Sequence, residues 1–376
     1  PETTEELYNF LKMVKEDDAN GNGIDDEIPM TGFIGGWASD PTVWMMNSFT
    51  QCVNPLSNTN PTVAGGLVVN NGKIEYAVMK DEYREGLRYM HKLFEEGLLD
   101  NQTFLQDNTQ FSATMDASEG NKVAVYANGG VENSEFWQQV DGEWQNWEIL
   151  APVAGPDGVR YSGRCIQTYF EGCLGVVSST CKYPEIVVAL FDFMASEDAA
   201  HHIGGGPEGI SWEYTNEGVS LSGGTPAYEQ FTVPEDFDYV KEGGLPKAYA
   251  NYRYTPDAMI QRGSAEYRGG LKIEDPSHST EYWFQQCAEL YSQYAPDVNT
   301  LVPNLSFEGE DAKIVTEGTL TIGGYVNQAL VQFIDGSLDI EKDWDAYIER
   351  LESMGVDEYV AAYQRTYDAY MEAQGK

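Results

Sequence analysis

The chain has 376 residues, 41% of them hydrophobic, and carries 22 basic against 61 acidic side chains, a formal charge of -39. That length exceeds what one hydrophobic core usually serves, so two domains are expected. Phosphates would be repelled by such a field, which argues against nucleic acid and anionic membrane surfaces as partners. No run approaches the roughly 20 apolar residues of a membrane span.

The chain opens on Pro1-Glu2-Thr3-Thr4-Glu5-Glu6-Leu7, with neither an initiator methionine nor a signal peptide. Thr3 or Thr4 can cap a helix whose first turn is acidic, and helical periodicity runs from Glu5 to Lys15. A start at a helix cap reads as a cut inside a longer protein, with upstream material that could carry a targeting signal.

The run Asp18-Ala19-Asn20-Gly21-Asn22-Gly23-Ile24-Asp25-Asp26-Glu27 follows. It places oxygen ligands at positions 1, 3, 5 and 9 of a tight loop, with Gly23 at the turning position and Ile24 where a backbone carbonyl is donated. Position 12, where a bidentate glutamate closes a calcium loop, is Pro29, so Glu27 is the simplest substitute. A plain Asn/Gly turn is the alternative, yet a turn does not need so many mutually repelling oxygens at alternating positions. The expected metal is Ca2+ in a structural role, held by Asp18, Asn20, Asn22, the Ile24 carbonyl, Asp26 and Glu27.

Further along, Met30 to Phe33 reads as a short strand. Gly66 to Asn70 and Lys73 to Tyr76 form a hairpin through the type I′ turn signal Asn71-Gly72. Leu87, Met90 and Leu93-Phe94 give Asp81 to Glu96 an apolar stripe, and Gly97 closes that helix. Lys122 to Tyr126 reads as a buried strand leaving through Asn128-Gly129-Gly130, with a helix over Glu132 to Val140. After the turn Gly155-Pro156-Asp157-Gly158, Leu174 to Val177 is apolar and β-branched, and Pro184 to Ala195 is an apolar helix. Helices return over Glu281 to Tyr294, Thr319 to Asp335, Ile340 to Met354 and Asp357 to Glu372. Alternating short strands and helices imply α/β layers.

The chemistry of the remaining residues is sparse. Cys52, Cys165, Cys173, Cys181 and Cys287 match no zinc or dense disulfide spacing. Free buried thiols are the simpler reading, with one disulfide among Cys165, Cys173 and Cys181 left open. The pair His201-His202 falls in a helix's last turn, where electrostatics alone favours histidine. A P-loop, a serine nucleophile motif and a dinucleotide fingerprint are missing.

The aromatics are more informative. Trp37, Trp44, Tyr126, Tyr169, Trp212, Tyr252 and Tyr254 occur in polar or glycine-rich surroundings, where an aromatic face beside hydrogen-bonding groups suits a sugar ring.

Several separated motifs resemble the bacterial extracellular solute-binding proteins of the maltose-binding superfamily, in particular the large Firmicutes lipoproteins that feed oligosaccharides to ABC transporters and their alginate-binding relatives. The opening resembles that family's Pro-x-Thr-x-(Asp/Glu)-Glu-Leu helix start, and Asp18 to Pro29 its Asp-x-Asn-Gly-Asn-Gly-x-x-Asp-Glu-Ile-Pro calcium loop. Gly206-Pro207-Glu208-Gly209-Ile210, Phe333-Ile334-Asp335-Gly336, Asp343-Trp344-Asp345-Ala346-Tyr347, Gly355 and Tyr367-Asp368 also fit.

The resemblance implies an α/β, two-lobed periplasmic-binding-protein-like type II fold, incomplete at the amino terminus. Residues 1–170 would form most of lobe II with the calcium loop, 171–295 the later portion of lobe I, and 296–376 helices returning to lobe II. The missing part of lobe I would carry the lipid-anchoring cysteine, making the whole protein an extracellular, surface-anchored lipoprotein. That amino-terminal fragment and the permease subunits would be its partners.

The implied event is hinge closure around an oligosaccharide, with no bond made or broken. Trp37, Trp44, Tyr126, Asn128, Tyr169, Glu208 and Trp212 would contact the ligand from loops at strand exits. The acidity favours a neutral glycan over a uronate polymer, unless arginines such as Arg164, Arg253 or Arg268 cancel the field locally. A glycan hydrolase or lyase, and a surface scaffold or adhesion module, are the rival readings.

Overall fold

The computed structural model describes residues 1–36, 38–52, 66–115, 121–129, 147–162, 176–196, 199, 201, 208–231, 269–274 and 280–375. The chain divides into two compact units, one comprising Pro1–Gln167 with Gln286–Lys376 and the other Thr168–Gln285.

The first unit begins with α1 (Thr4–Glu16), where the Thr3 hydroxyl accepts from Glu6 N–H and acidic Glu5 and Glu6 lie at the positive helix end. Thr4, Leu7, Leu11 and Val14 form its buried face. Strand β1 (Ile28–Thr31) follows the acidic loop, then α2 (Pro41–Met46), capped by Asp40 and started by Pro41. Strands β2 (Leu67–Asn70) and β3 (Lys73–Tyr76) form the expected hairpin, with Asn71 at φ 49° and Gly72 at φ 81°, as a type I′ turn requires. Gln364 backs this hairpin: its Oε1 accepts from Ile74 N–H at 2.7 Å and its Nε2 donates to Gly72 O at 3.0 Å.

Helix α3 (Asp81–Glu95) buries Tyr83, Leu87, Met90 and Leu93 against the core, and α4 (Asn108–Thr114) starts with an Asp107/Gln110 capping box. Strand β4 (Val123–Tyr126) then pairs in parallel with β1. Only Val123 of β4 is buried, so the strand is less enclosed than its apolar sequence suggests.

The second unit contains helix α5 (Pro184–Met194) and the antiparallel pairs β5 (Trp212–Tyr214) with β7 (Tyr228–Gln230) and β6 (Val219–Ser220) with β8 (Lys272–Ile273). Val176 and Val177 are exposed and lie outside any strand, contrary to expectation; Leu174 lies outside the described residues. The helix expected over Glu132 to Val140 also lies outside them. Cys52 and Cys181 are free thiols, so no disulfide runs through Cys181; Cys165 and Cys173 are not among the described residues.

The chain returns through α6 (Thr280–Ser292) to α7 (Gly309–Asp335), α8 (Trp344–Ser353) and α9 (Val356–Ala373). Helix α7 starts ten residues before the expected Thr319. Gly318 is no break: a Cβ there would lie 2.3 Å from the Tyr359 ring, so the glycine lets α9 approach α7. Helix α8 starts later than the expected Ile340, because Asp339 Oδ1 accepts from the Glu341 and Lys342 N–H groups and holds a turn there. One continuous core gathers Leu7, Leu11, Met45, Leu87, Phe333 and Leu351, among others.

Candidate functional site

Three places hold the residues singled out by sequence. The first is the loop from Asp18 to Glu27. Its side chains fold back onto its own backbone: Asp18 Oδ2 accepts from Gly23 N–H at 2.9 Å, Asn20 Oδ1 from Asn22 N–H at 2.9 Å, and Asn22 Oδ1 from Ile24 N–H at 2.7 Å. Gly23 takes φ 78°, a left-handed conformation that disfavours a side chain. Asp26 Oδ1 accepts from the Asn20 and Asn22 amides at 3.3 and 3.1 Å, and Glu27 Oε1 accepts from Asn20 N–H at 3.4 Å. Glu27 therefore turns back into the loop, whereas Pro29 is buried in β1.

The Lys122 ammonium lies 2.9 Å from Asp26 Oδ2. Lys122, with help from the Asn22 and Asn20 amides, holds the Asp26 carboxyl below the usual aspartate range. The donors are all hard oxygens, the chemistry that suits calcium, and a lysine ammonium stands at one of them as a stand-in cation. No three His, Cys, Asp or Glu side chains among the described residues converge as a metal cluster; the loop carboxylates face loop amides and Lys122 instead.

The second place is the carboxyl end of the β1–β4 pair, where Thr31 lies beside Tyr126. Both strands point the same way, so the loops leaving them emerge together, the usual ligand position in a parallel α/β sheet. After β1 the chain turns tightly: Phe33 N–H donates to Ser39 O at 2.8 Å and Ser39 Oγ returns a bond to Phe33 O at 2.8 Å. Trp37, inside this turn, lies outside the described residues.

Asp40 closes the turn, and its Oδ1 accepts from Thr42 N–H at 2.9 Å and Thr42 Oγ1 at 2.6 Å. Burial raises the Asp40 carboxyl above its usual range, against the lowering effect of the Thr42 bonds. Trp44 sits in α2 rather than in a loop, because Asp40 and Pro41 start a helix there. It is half-buried against the main core. Its indole N–H is buried with no hydrogen-bond partner among the described residues.

After β4, Tyr126 is half-exposed and meets Trp147 edge-on, with ring centroids 4.7 Å apart. Behind this pair Phe111 stands 6.2 Å from Tyr126 and 5.2 Å from Phe33. Asn128, two residues beyond Tyr126, accepts from Gly129 N–H at 2.7 Å. A half-exposed aromatic pair beside an amide, backed by buried rings, can cover a pyranose or furanose face while reading a hydroxyl. Sequence reasoning did not select Trp147 or Asp40. The tryptophan's pairing with Tyr126 joins separated segments, and Asp40 owes its place to the Phe33–Ser39 turn, which spacing does not show.

The third place is in the second unit. Glu208 is exposed and bridges to Trp212, with Gly209 N–H donating to Trp212 O at 2.7 Å. Trp212 is only 1% exposed, and His201 stacks on its ring at 4.7 Å and 21°. That ring is core, with Tyr228 and Leu271 around it. The accessible aromatic nearby is Tyr214, 51% exposed and 5.0 Å from Trp212. Along β5 one buried residue, Trp212, is followed by two exposed ones, so no period-2 signal marks Tyr214. Tyr169 lies outside the described residues.

The fold is a mixed α/β arrangement consistent with type II periplasmic binding proteins. No family model matches it. Among curated proteins it is 24% identical over 373 residues to the fructooligosaccharide ABC transporter substrate-binding protein FusA of Streptococcus pneumoniae serotype 4 (strain ATCC BAA-334 / TIGR4), covering 98% of this chain and 62% of FusA. The structure of FusA in complex with kestose superposes with a TM-score of 0.71 at 23% identity, covering 99% of this chain and 69% of that one. An EF-hand mutant of FusA with fructo-nystose gives 0.66 at 22% identity, with the same coverage. An HMO-binding solute-binding protein from Bifidobacterium longum infantis gives 0.69 at 22% identity, covering 98% and 70%. The chain thus spans less than two thirds of FusA's length. Each of these relatives is named as a substrate- or solute-binding protein.

Proposed function

We propose that this chain is the larger part of a binding protein that captures an oligosaccharide outside the cell and delivers it to an ABC transporter permease. The observation that carries this reading is the Tyr126–Trp147 pair beside Asn128 at the carboxyl ends of β1 and β4. It joins a sugar-compatible surface to the place where a parallel α/β sheet offers its ligand site. Trp37 and Trp44, in the segment that follows β1, are further ligand contacts in this reading. The same reading takes Glu208, Tyr169 and Trp212, with the exposed Tyr214 near its buried ring, as further ligand contacts, and the second unit as the later portion of lobe I. The first unit serves as lobe II.

The formal charge of -39 favours neutral glycans over uronate polymers. The loop from Asp18 to Glu27 holds Ca2+ through Asp18, Asn20, Asn22, the Ile24 carbonyl, Asp26 and Glu27. Bound there, the ion would neutralise the crowded carboxylates and clamp the loop to the start of β1.

The partner reading extends to an amino-terminal segment of the same protein. Helix α5 supports it: Ile186, Val188, Leu190 and Phe193 are 62%, 58%, 52% and 45% exposed, and no residue of the helix is buried. A face this apolar marks an interaction surface, and the longer relatives have additional chain with which to cover it. That segment would also carry the lipid anchor.

Calorimetric titration with neutral oligosaccharides, kestose among them, and separately with oligouronates tests the reading. Saturable heat with a neutral sugar is expected, with loss of affinity in Tyr126→Ala. Binding confined to oligouronates would overturn the neutral assignment, and turnover of a glycan would overturn the transport role.

A further inference from the structure

Asp17, Asp18, Asp25, Asp26 and Glu27 crowd one loop with negative charge. Among the described residues, a cation that answers one of them, Asp26, is on another element. Lys122 precedes β4, and its ammonium sits 2.9 Å from Asp26 Oδ2 while Asn20 and Asn22 amides occupy Asp26 Oδ1. The backbone of the same residue is engaged separately, since Lys122 O accepts from Ile28 N–H at 2.7 Å, at the first rung of the β1–β4 ladder. Main chain and side chain are thus divided between holding the ladder and neutralising the loop.

We propose that Lys122 is a built-in counterion that competes with a divalent cation for the Asp26 carboxylate and thereby sets the metal affinity of the loop. The proposal rests on the reading of Asp18 to Glu27 as a metal loop. Asp26 stands at position 9, where calcium loops take an oxygen ligand directly or through water. A cation drawing on that carboxylate meets the ammonium's repulsion and must displace it from Oδ2. Lys122 and Asp26 are 32% and 21% exposed, so water screens this competition only in part. The same ammonium also steadies the metal-free loop, since it holds Asp26 Oδ2 while the Asn20 and Asn22 amides hold Oδ1.

The test is calcium titration of the chelator-treated full chain by calorimetry at fixed ionic strength, with melting temperatures taken with and without metal. Lys122→Met should bind calcium about tenfold more tightly than the parent chain, as expected for removing one nearby positive charge at partial exposure. Its melting temperature should fall in chelator and recover with calcium. Lys122→Arg should keep the parent affinity. Lys342→Met, which removes an exposed lysine paired with Asp339 elsewhere, should leave calcium affinity unchanged. Parent affinity, or weaker binding, in Lys122→Met would overturn the proposal, as would equal tightening in Lys342→Met. A parent chain that takes up no calcium would instead overturn the metal-loop reading beneath it.

Discussion

The two units treat their apolar residues in opposite ways. In the first, each amphipathic helix finds a partner: α1 buries Leu7 and Leu11, α3 buries Leu87 and Leu93, and α7 packs against α3 and α9. In the second, the described core is Trp212 and Tyr228 with Leu271 against it, while the more apolar α5 stays exposed on every side. Helix α5 carries only Glu185 and Asp192 as charged residues, yet none of its residues is buried, unlike the amphipathic helices of the first unit.

Substitutions in the two units sharpen this contrast. The largest expected effect is in the first: Leu11→Ala should cost about 2–5 kcal/mol of stability in denaturant unfolding, because Leu11 is fully buried. Leu190→Ala, at a site of the same chemistry in α5, should stay within about 0.5 kcal/mol. Equal losses at the two sites would erase the distinction between the units.

Gly318→Ala should follow at about 1–3 kcal/mol, since the new methyl would meet the Tyr359 ring at the α7–α9 crossing. A neutral result would mean that α9 can move away freely. At the carboxyl end of β4, Tyr126→Ala should weaken oligosaccharide binding by roughly tenfold while the melting temperature changes little, on the scale of one aromatic contact. Loss of folding without a separate loss of affinity would assign the ring to the core, like Trp212.

The smallest effect concerns acid. Arg365, with opposing desolvation, holds the Asp311 carboxyl below its usual range at the α7–α9 contact. A depressed aspartate contributes stability that is present above its unfolded value, about 3.9, and is lost as pH falls through the lower folded value. Asp311→Asn should therefore flatten the stability curve slightly below about pH 4, read as melting temperature against pH. An unchanged slope would show that exposure screens the pair completely.

Much of the first unit was legible because its signals are local. The Thr3 cap, the Asn71-Gly72 turn and the apolar stripes of α1, α3 and α9 each need only a few neighbouring residues, and each element stands within a few positions of its expectation. What failed depended on distant partners. The expected start at Thr319 missed the first ten residues of α7, and the reason a glycine stands within that helix at Gly318 is the Tyr359 ring, 41 residues away in sequence. Trp212 looked like an exposed platform beside glycines because the stacking of His201 and the packing of Tyr228 cannot be read from spacing. Val176 and Val177 carry strand propensity with no described strand to pair with. The loop from Asp18 to Glu27 was plain as a pattern of oxygens, yet its cation at Lys122 lies beside a strand about a hundred residues on.

The carboxyl end of the β1–β4 pair is the sugar-binding surface proposed for this chain. The most direct measurement is tryptophan fluorescence and calorimetric titration of the parent chain, Tyr126→Ala and Asn128→Ala with a panel of neutral oligosaccharides. The account predicts a saturable response in the parent that both substitutions weaken and that Leu190→Ala leaves unchanged. Saturable binding with the same affinity in all four proteins would contradict it.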